Sequence, residues 1–168
     1  EWEQECYAGW ENLCGIIMDR LNRLDKPQKI LVVECYQGVH HEELMRNIKK
    51  YIPFQYFLNT ADLFLPEKRI LELTWPDVTD DRIFGFMTSL NMIDFFNPIE
   101  YSLAIGKIKK ADNGVVLVYG HGASLLVPEP DLLVYMDMAR WEIQLRMRRN
   151  EISNLGVSNR EENFELQY

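Results

Sequence analysis

The stretch that decides the fold is residues 115–122, VVLVYGHG, in which five apolar residues lead into a glycine turn. An unbroken apolar run rich in β-branched residues is typical of a strand that is buried on both faces. The Gly-His-Gly turn ends the strand, because glycine readily adopts the backbone conformations of tight turns. Strands of this kind occur in parallel sheets that are covered by helices. The stretch therefore predicts an α/β protein with a parallel sheet.

Further apolar runs and amphipathic segments surround this strand in alternation. Strands are predicted at residues 30–33, 54–58 and 132–136, the last also buried, with a shorter one at 70–73. Apolar residues at helical spacing predict helices over residues 10–24, 41–52, 99–110 and 139–149. We expect one three-layer domain over residues 1–168, with helices on both faces of the sheet. Its amphipathic N-terminal helix lies within residues 1–27, and its polar tail, residues 151–168, is expected to be loop-rich and flexible.

Composition narrows the class of protein. The 168 residues are 47% hydrophobic, which is enough for the core of one domain. The net charge of -8 argues against a general nucleic-acid partner. No apolar run approaches the roughly 20 residues that span a bilayer, so no membrane partner is expected. The three cysteines form no metal or disulfide pattern, which favours reduced thiols and a cytoplasmic location.

The residues that follow the predicted strands are the candidates for ligand binding, because such sheets bind ligands at the carboxyl ends of their strands. All three histidines of the chain, His40, His41 and His121, fall there. Ordinary loop histidines are an equally good interpretation. The turn from Gly120 to Gly122 offers backbone N–H groups to an anion, although glycines also serve turns that bind nothing. No metal site is expected, since no ligand pair has helical i, i+4 spacing.

The segment 139–149 concentrates four arginines in an acidic protein. Guanidinium groups bind phosphate oxygens through paired hydrogen bonds, which favours a phosphate contact. The alternative is that these cations complement the dipole at the C-terminal end of a helix. The acidic turn at residues 80–82 is a weaker candidate for binding.

The order of these motifs resembles the uridine kinase group of P-loop kinases over residues 29–150. The motifs are TADLF at 60–64, VVLVYGHGASLL at 115–126 and DLLVYMDMARWEIQLRMRRN at 131–150. The resemblance implies a P-loop nucleoside-kinase-like fold in which Asp62 activates the acceptor hydroxyl. It also implies a strand-end aspartate, a motif glycine and lid arginines at Asp137, Gly120, Arg146, Arg148 and Arg149.

The phosphate loop departs from that family. Its pattern GxxxxGK[ST] places a lysine on the phosphates and a hydroxyl on magnesium. Here residues 35–42 read CYQGVHHE, with a single glycine, Gly38, and with neither lysine nor Ser or Thr. Tyr119 stands where the family has an acid before Gly120. A Mg-nucleotide cofactor and ordinary kinase activity are therefore not expected, and no other cofactor is indicated.

A closer resemblance is to the kinase-like N-terminal domain of Bacteroides-type proteins described as class I mannose-6-phosphate isomerases. It rests on ECYQGV at 34–39, TDDRIFG at 79–85, VYGHGASLL at 118–126 and DLLVYMDMARWEIQLR at 131–146. The resemblance implies a C-terminal zinc-dependent cupin isomerase domain as a partner. This chain offers none of the ligands of a cupin metal site, so the isomerase reaction is not assigned to it.

Three hypotheses follow. The first is a domain that binds a phosphorylated sugar or nucleotide, accessory to the isomerase, through the loop residues Gly38, His40, His41, Asp62, Gly120, His121 and Gly122 and the arginine helix. The second is a divergent phosphotransferase in which a histidine or arginine replaces the lysine and Asp62 is the base. The third is a structural or dimerisation domain that associates through Trp10 and the aromatic residues Phe84, Phe86, Phe95 and Phe96.

Overall fold

The computed structural model describes residues 6–78 and 87–163. Six α-helices lie in these ranges: α1 (Trp10–Asn22), α2 (His41–Tyr51), α3 (Glu67–Val78), α4 (Pro98–Lys110), α5 (Ala123–Leu126) and α6 (Arg140–Arg148). Two short 3-10 helices, Thr60–Leu63 and Met92–Phe95, lie there as well. Four strands alternate with them: β1 (Gln28–Cys35), β2 (Tyr56–Asn59), β3 (Gly114–Gly120) and β4 (Leu132–Met136). The acidic turn at 80–82, the aromatic residues Phe84 and Phe86 and the last five residues of the tail lie outside the described residues.

The four strands form one parallel sheet in the order β2-β3-β1-β4. The strand that dominates the sequence, β3, lies inside the sheet and pairs with β1 from Gln28↔Gly114 to Glu34↔Gly120. This position accounts for its unbroken apolar run, since residues 115–120 are all buried. The predicted α/β class and parallel sheet are confirmed.

Helices cover both faces of the sheet. On one face, α1 and α2 pack with Leu44 and Ile48 against Leu31, Val33 and further alternate residues of β1 and β3. On the other face, α4 and α5 pack with Ala104 and Leu126 against Val116 and the remaining strand residues. Alternating side chains of one strand point to opposite faces, so each central strand contributes to two cores.

The chain leaves the two central strands in opposite directions. From β1 it passes through α2 to β2, on the face that α1 also covers. From β3 it passes through α5 to β4, on the opposite face. Because β1 and β3 are neighbours, the connections that follow their carboxyl ends turn to opposite faces of the sheet and leave a crevice between them. This crevice is the topological switch point, where open α/β sheets bind ligands.

Two of the predicted strands need correction. Residues 70–73 belong to α3 and not to a strand. Ile70 and Thr74 there lie one helical turn apart, and the Thr74 hydroxyl donates to the Ile70 carbonyl at 3.0 Å. The strand at 132–136 exists, but it forms the edge of the sheet and is not fully buried. Leu133 and Tyr135 are 51% and 55% exposed, because no described helix covers that face of β4.

Of the aromatic residues considered for a dimer surface, the structure describes Trp10, Phe95 and Phe96, and none of these three is fully exposed. Trp10 packs against the α1/α2 core, Phe96 is buried in the opposite core, and Phe95 is half-buried. Cys14 and Cys35 are buried in the core as free thiols, and Cys6 is exposed. No helix within the described ranges is long and apolar enough to cross a membrane.

Candidate functional site

An open cavity of about 1030 Å³ lies at the switch point. Its walls come from the loop after β1, the start of α2, the turn after β2, the end of β3 and the segment after α6. A volume at the upper end of the range for small-molecule sites accommodates a ligand the size of a nucleotide or a sugar phosphate. We call this space the switch-point cavity.

The loop after β1 brings backbone N–H groups to the cavity. Gly38 has φ +94°, and a side chain here would meet Ile143 of α6, with only 2.9 Å from the new Cβ to Cγ1. This glycine therefore permits both the turn and the close approach of α6. The N-cap residue of α2, His40, makes no side-chain capping bond, so the free N–H groups of the first turn have no side-chain cap. Such a helix start favours a bound anion.

Two of the three histidines form a compact aromatic group with Tyr119 in the cavity wall. His41 Nδ1 lies 2.5 Å from the Tyr119 hydroxyl, and the ring centroids of His41 and His121 are 5.1 Å apart. Burial lowers the pKa of His121 to about 4, with the nearby His41 as a smaller cause. Burial also lowers the pKa of His41, and His40 adds to this effect. Both rings are therefore neutral at physiological pH and act as hydrogen-bonding groups, not as cations.

The ends of β2 and β3 approach each other closely in the cavity wall. Gly120 has φ +120°, and a Cβ at this position would lie 2.2 Å from Thr60 Oγ1. Thr60 is fully buried. Its hydroxyl and His121 Nε2 are buried polar atoms without a hydrogen-bond partner among the described residues. Unpaired buried polar atoms are costly in most folds, which makes this part of the wall a candidate for binding polar groups.

Backbone N–H groups at the glycine turn after β3 already donate hydrogen bonds to a carboxylate of the protein. The carboxylate of Glu34, at the end of β1, accepts the backbone N–H of Gly122 at 2.6 Å and that of Ser124 at 2.7 Å. This carboxylate therefore satisfies the start of the short helix α5. Gly120 and His121 line the switch-point cavity, whereas Gly122 is absent from its lining. The sequence predicted that the N–H groups of this turn bind an anion. The N–H of Gly122 instead donates to the carboxylate of Glu34 within the protein.

Two arginines near the C-terminal end of α6, Arg146 and Arg149, are engaged with neighbouring acidic and backbone groups. Arg146 donates to Glu142 at 2.9 Å and to the Gly38 carbonyl at 2.6 Å. Arg149 donates to Glu142 at 3.1 Å and to Glu151 at 2.7 Å. These contacts lower the pKa of both glutamates. Neither arginine lines the switch-point cavity, and Arg148 does not line it either.

The remaining sequence-predicted residues divide between the cavity and the surface. Gly38, His40 and His41 line the cavity, as the strand-end rule suggests. Asp62, in the 3-10 helix Thr60–Leu63, is exposed and absent from the lining, although its neighbour Ala61 is part of it. The structure thus gathers the histidines and separates them from the aspartate that the kinase resemblance selects.

Sequence reasoning missed the segment after α6. Residues 150–158 and Arg160 form one side of the cavity, and we call residues 150–160 the C-terminal strap. Its attachments include Gln37 Nε2 donating to the Ser153 carbonyl at 2.6 Å and the Ser158 N–H donating to Glu67 at 2.9 Å. No signal in the sequence marked this segment, because the burial of its polar residue Asn159 is known only from the fold.

Within residues 6–78 and 87–163, no group of three or more His, Cys, Asp or Glu side chains is placed to hold a metal ion.

Fold and site together define an α/β protein with an all-parallel sheet and an open switch-point cavity. The chain belongs to the family DUF8485, a domain of unknown function, whose model matches residues 9–168. No curated protein and no solved structure matches the chain.

Proposed function

We propose that this domain binds a small phosphorylated molecule, a sugar phosphate or a nucleotide, in the switch-point cavity and does not transfer its phosphoryl group. The observation that carries the proposal is the position of the cavity. It opens where the connections after β1 and β3 turn to opposite faces of the sheet, next to the uncapped start of α2. This is the place at which α/β sheets of this kind bind phosphorylated ligands.

The cavity wall combines features that suit such a ligand. The backbone N–H groups at the start of α2 attract phosphate oxygens. The neutral His41 and the amide of Asn59 in the same wall are suited to hydroxyl or base groups. Half-buried apolar residues such as Phe64 complete the lining, as in most small-molecule sites.

The same wall argues against phosphoryl transfer. Transfer of a γ-phosphoryl group relies on a lysine and on a hydroxyl that holds magnesium, both supplied by the phosphate loop. The loop at 35–42 has neither, and no lysine is present among the described lining residues. Asp62, the acceptor-activating residue by resemblance, lies outside the lining. We therefore propose that the domain senses or positions a ligand and that it acts beside a sugar-phosphate isomerase domain.

Ligand screening tests the proposal directly. We expect glucose 6-phosphate, mannose 6-phosphate or AMP to raise the melting temperature, because a ligand that binds only the folded state stabilises it by mass action. Calorimetric titration then gives the Kd. Ala61→Trp places a large side chain in the cavity wall and should abolish binding. Ala8→Trp is the matched control, since Ala8 is exposed and absent from the lining.

Three results would contradict the proposal. Binding that survives Ala61→Trp undiminished would place the ligand elsewhere on the molecule. Steady transfer of phosphate from Mg-ATP to a sugar or nucleoside, lost in Asp62→Asn, would establish the divergent phosphotransferase instead. If no phosphorylated compound binds, the structural role becomes the better hypothesis.

A further inference from the structure

We propose that Arg160 binds the anionic group of the ligand, which makes the C-terminal strap a part of the binding site. This inference rests on the proposed function of the switch-point cavity. It names the side chain that recognises the phosphoryl group, a residue that lies outside every motif of the sequence analysis.

The first argument is the charge of the wall. Among the described residues that line the cavity, Arg160 is the one lysine or arginine. Two carboxylates, those of Glu42 and Glu151, line the same space. His41 and His121 add no positive charge near neutral pH, since burial lowers the pKa of both. A phosphorylated ligand therefore meets one full positive charge in this wall, together with the partial charge at the start of α2.

The second argument is that the other nearby arginines are engaged. Arg149 is shared between Glu142 and Glu151, and Arg146 is held by Glu142 and by the Gly38 carbonyl. Releasing either one toward a ligand would break contacts that are already made. Arg160 forms no ion pair with the described residues, so its guanidinium fork is available for a phosphate.

The third argument is that the backbone around Arg160 is fixed. The N–H of Ser158 donates to Glu67 of α3 at 2.9 Å. Asn159 is buried, and its side-chain oxygen accepts the Asn154 N–H at 2.9 Å. The first contact holds the chain before Arg160 against α3, and the second fixes the fold of the C-terminal strap itself. A backbone that is ordered before binding reduces the entropy lost when the ligand is captured.

The experiment measures calorimetric Kd values for glucose 6-phosphate and AMP on the full chain and on three variants. Arg160→Ala should weaken the binding of both probes roughly tenfold or more, as expected for loss of a charge-assisted hydrogen bond. Arg160→Lys should recover part of the loss, because lysine keeps the charge but not the planar fork. Arg20→Ala on α1 removes an exposed arginine outside the cavity and should leave binding unchanged.

The outcomes separate the two proposals. If the unchanged chain binds a phosphorylated probe and Arg160→Ala binds it equally well, the role of Arg160 is wrong and the proposed function stands. If the unchanged chain binds neither probe, the proposed function fails and the role of Arg160 fails with it. Equal melting temperatures of the unliganded proteins show that the exposed Arg160 is not needed for folding.

Discussion

Acidification should destabilise this protein through one buried imidazole, that of His121. Burial lowers its pKa in the folded state to about 4 from an ordinary value of 6.5. The unfolded chain therefore binds a proton at His121 at a pH where the folded chain does not. The contribution of His121 to stability is fully present above about pH 6.5 and is lost as the pH falls toward about 4.

The size of the effect follows from these two pKa values. Each pH unit between them costs about 1.36 kcal/mol of unfolding free energy. Between about pH 7.5 and about pH 5, the unfolded state gains nearly its full proton while the folded state gains almost none. The free energy of unfolding should therefore fall by about 2 kcal/mol from this residue alone. The predicted loss holds to within roughly a factor of two. It is a large share of the roughly 5–15 kcal/mol by which a typical domain is stable.

Urea unfolding, followed by tryptophan fluorescence at both pH values, measures this loss. His121→Gln removes the buried imidazole and should reduce the pH-dependent loss by about 2 kcal/mol. The quantity compared is the difference in unfolding free energy between the two pH values. A substitution that changes stability equally at both pH values does not affect this difference. His40→Gln removes a histidine from the same cavity wall and should retain most of the loss. If His121→Gln and the unchanged protein lose the same free energy, His121 is not the buried neutral group described here.

Two further substitutions test the contacts that shape the cavity wall. Glu34→Gln should lower the free energy of unfolding by about 2 kcal/mol, because an amide accepts only one of the two backbone N–H groups that the carboxylate now accepts. The exposed Glu129→Gln is its control, and equal urea midpoints for the two variants would contradict the role of Glu34. Gly120→Ala should cost about 2 kcal/mol or more, since the new Cβ would lie 2.2 Å from Thr60 Oγ1. A loss below about 0.5 kcal/mol in urea unfolding would show that the two strand ends separate easily.

Local patterns were sufficient for most of the secondary structure. The apolar run at 115–119 predicted β3, and periodic apolar residues predicted α1, α2 and α4 to within a few residues. These patterns are reliable because a buried strand and an amphipathic helix each impose a repeat on neighbouring residues. The short stretch at 70–73 was predicted wrongly, since four residues rich in apolar side chains fit both repeats.

The burial of β4 could not be read from its sequence. Leu132, Val134 and Met136 pack against the α1/α2 core, whereas Leu133 and Tyr135 on the other face are exposed. An apolar run predicts a strand, but the number of neighbours on each side depends on its place in the sheet. That place is the edge, next to β1.

The charged residues of the candidate site show the same limit. The cluster of arginines in α6 was visible in the sequence, but its acidic partners were not. Glu142 and Glu151 engage Arg146 and Arg149. In the part of the wall that the structure describes, the cation without an ion pair is Arg160, in a segment without any motif. Charge density along the chain does not reveal ion pairing, because the pairs form between side chains that folding brings together.

The sequence by itself determined the α/β class, the parallel sheet and the presence of His40, His41 and His121 at strand ends. These are consequences of short-range patterns and of one general rule for parallel sheets. The tertiary structure alone decided which strand ends meet, and so which side chains share a cavity. The pairing of β1 with β3 joins segments about 85 residues apart, from Gln28↔Gly114 onward, and it places Glu34 on the amides of the turn after β3. Contacts over such separations arise from packing of the whole chain, which no local repeat records.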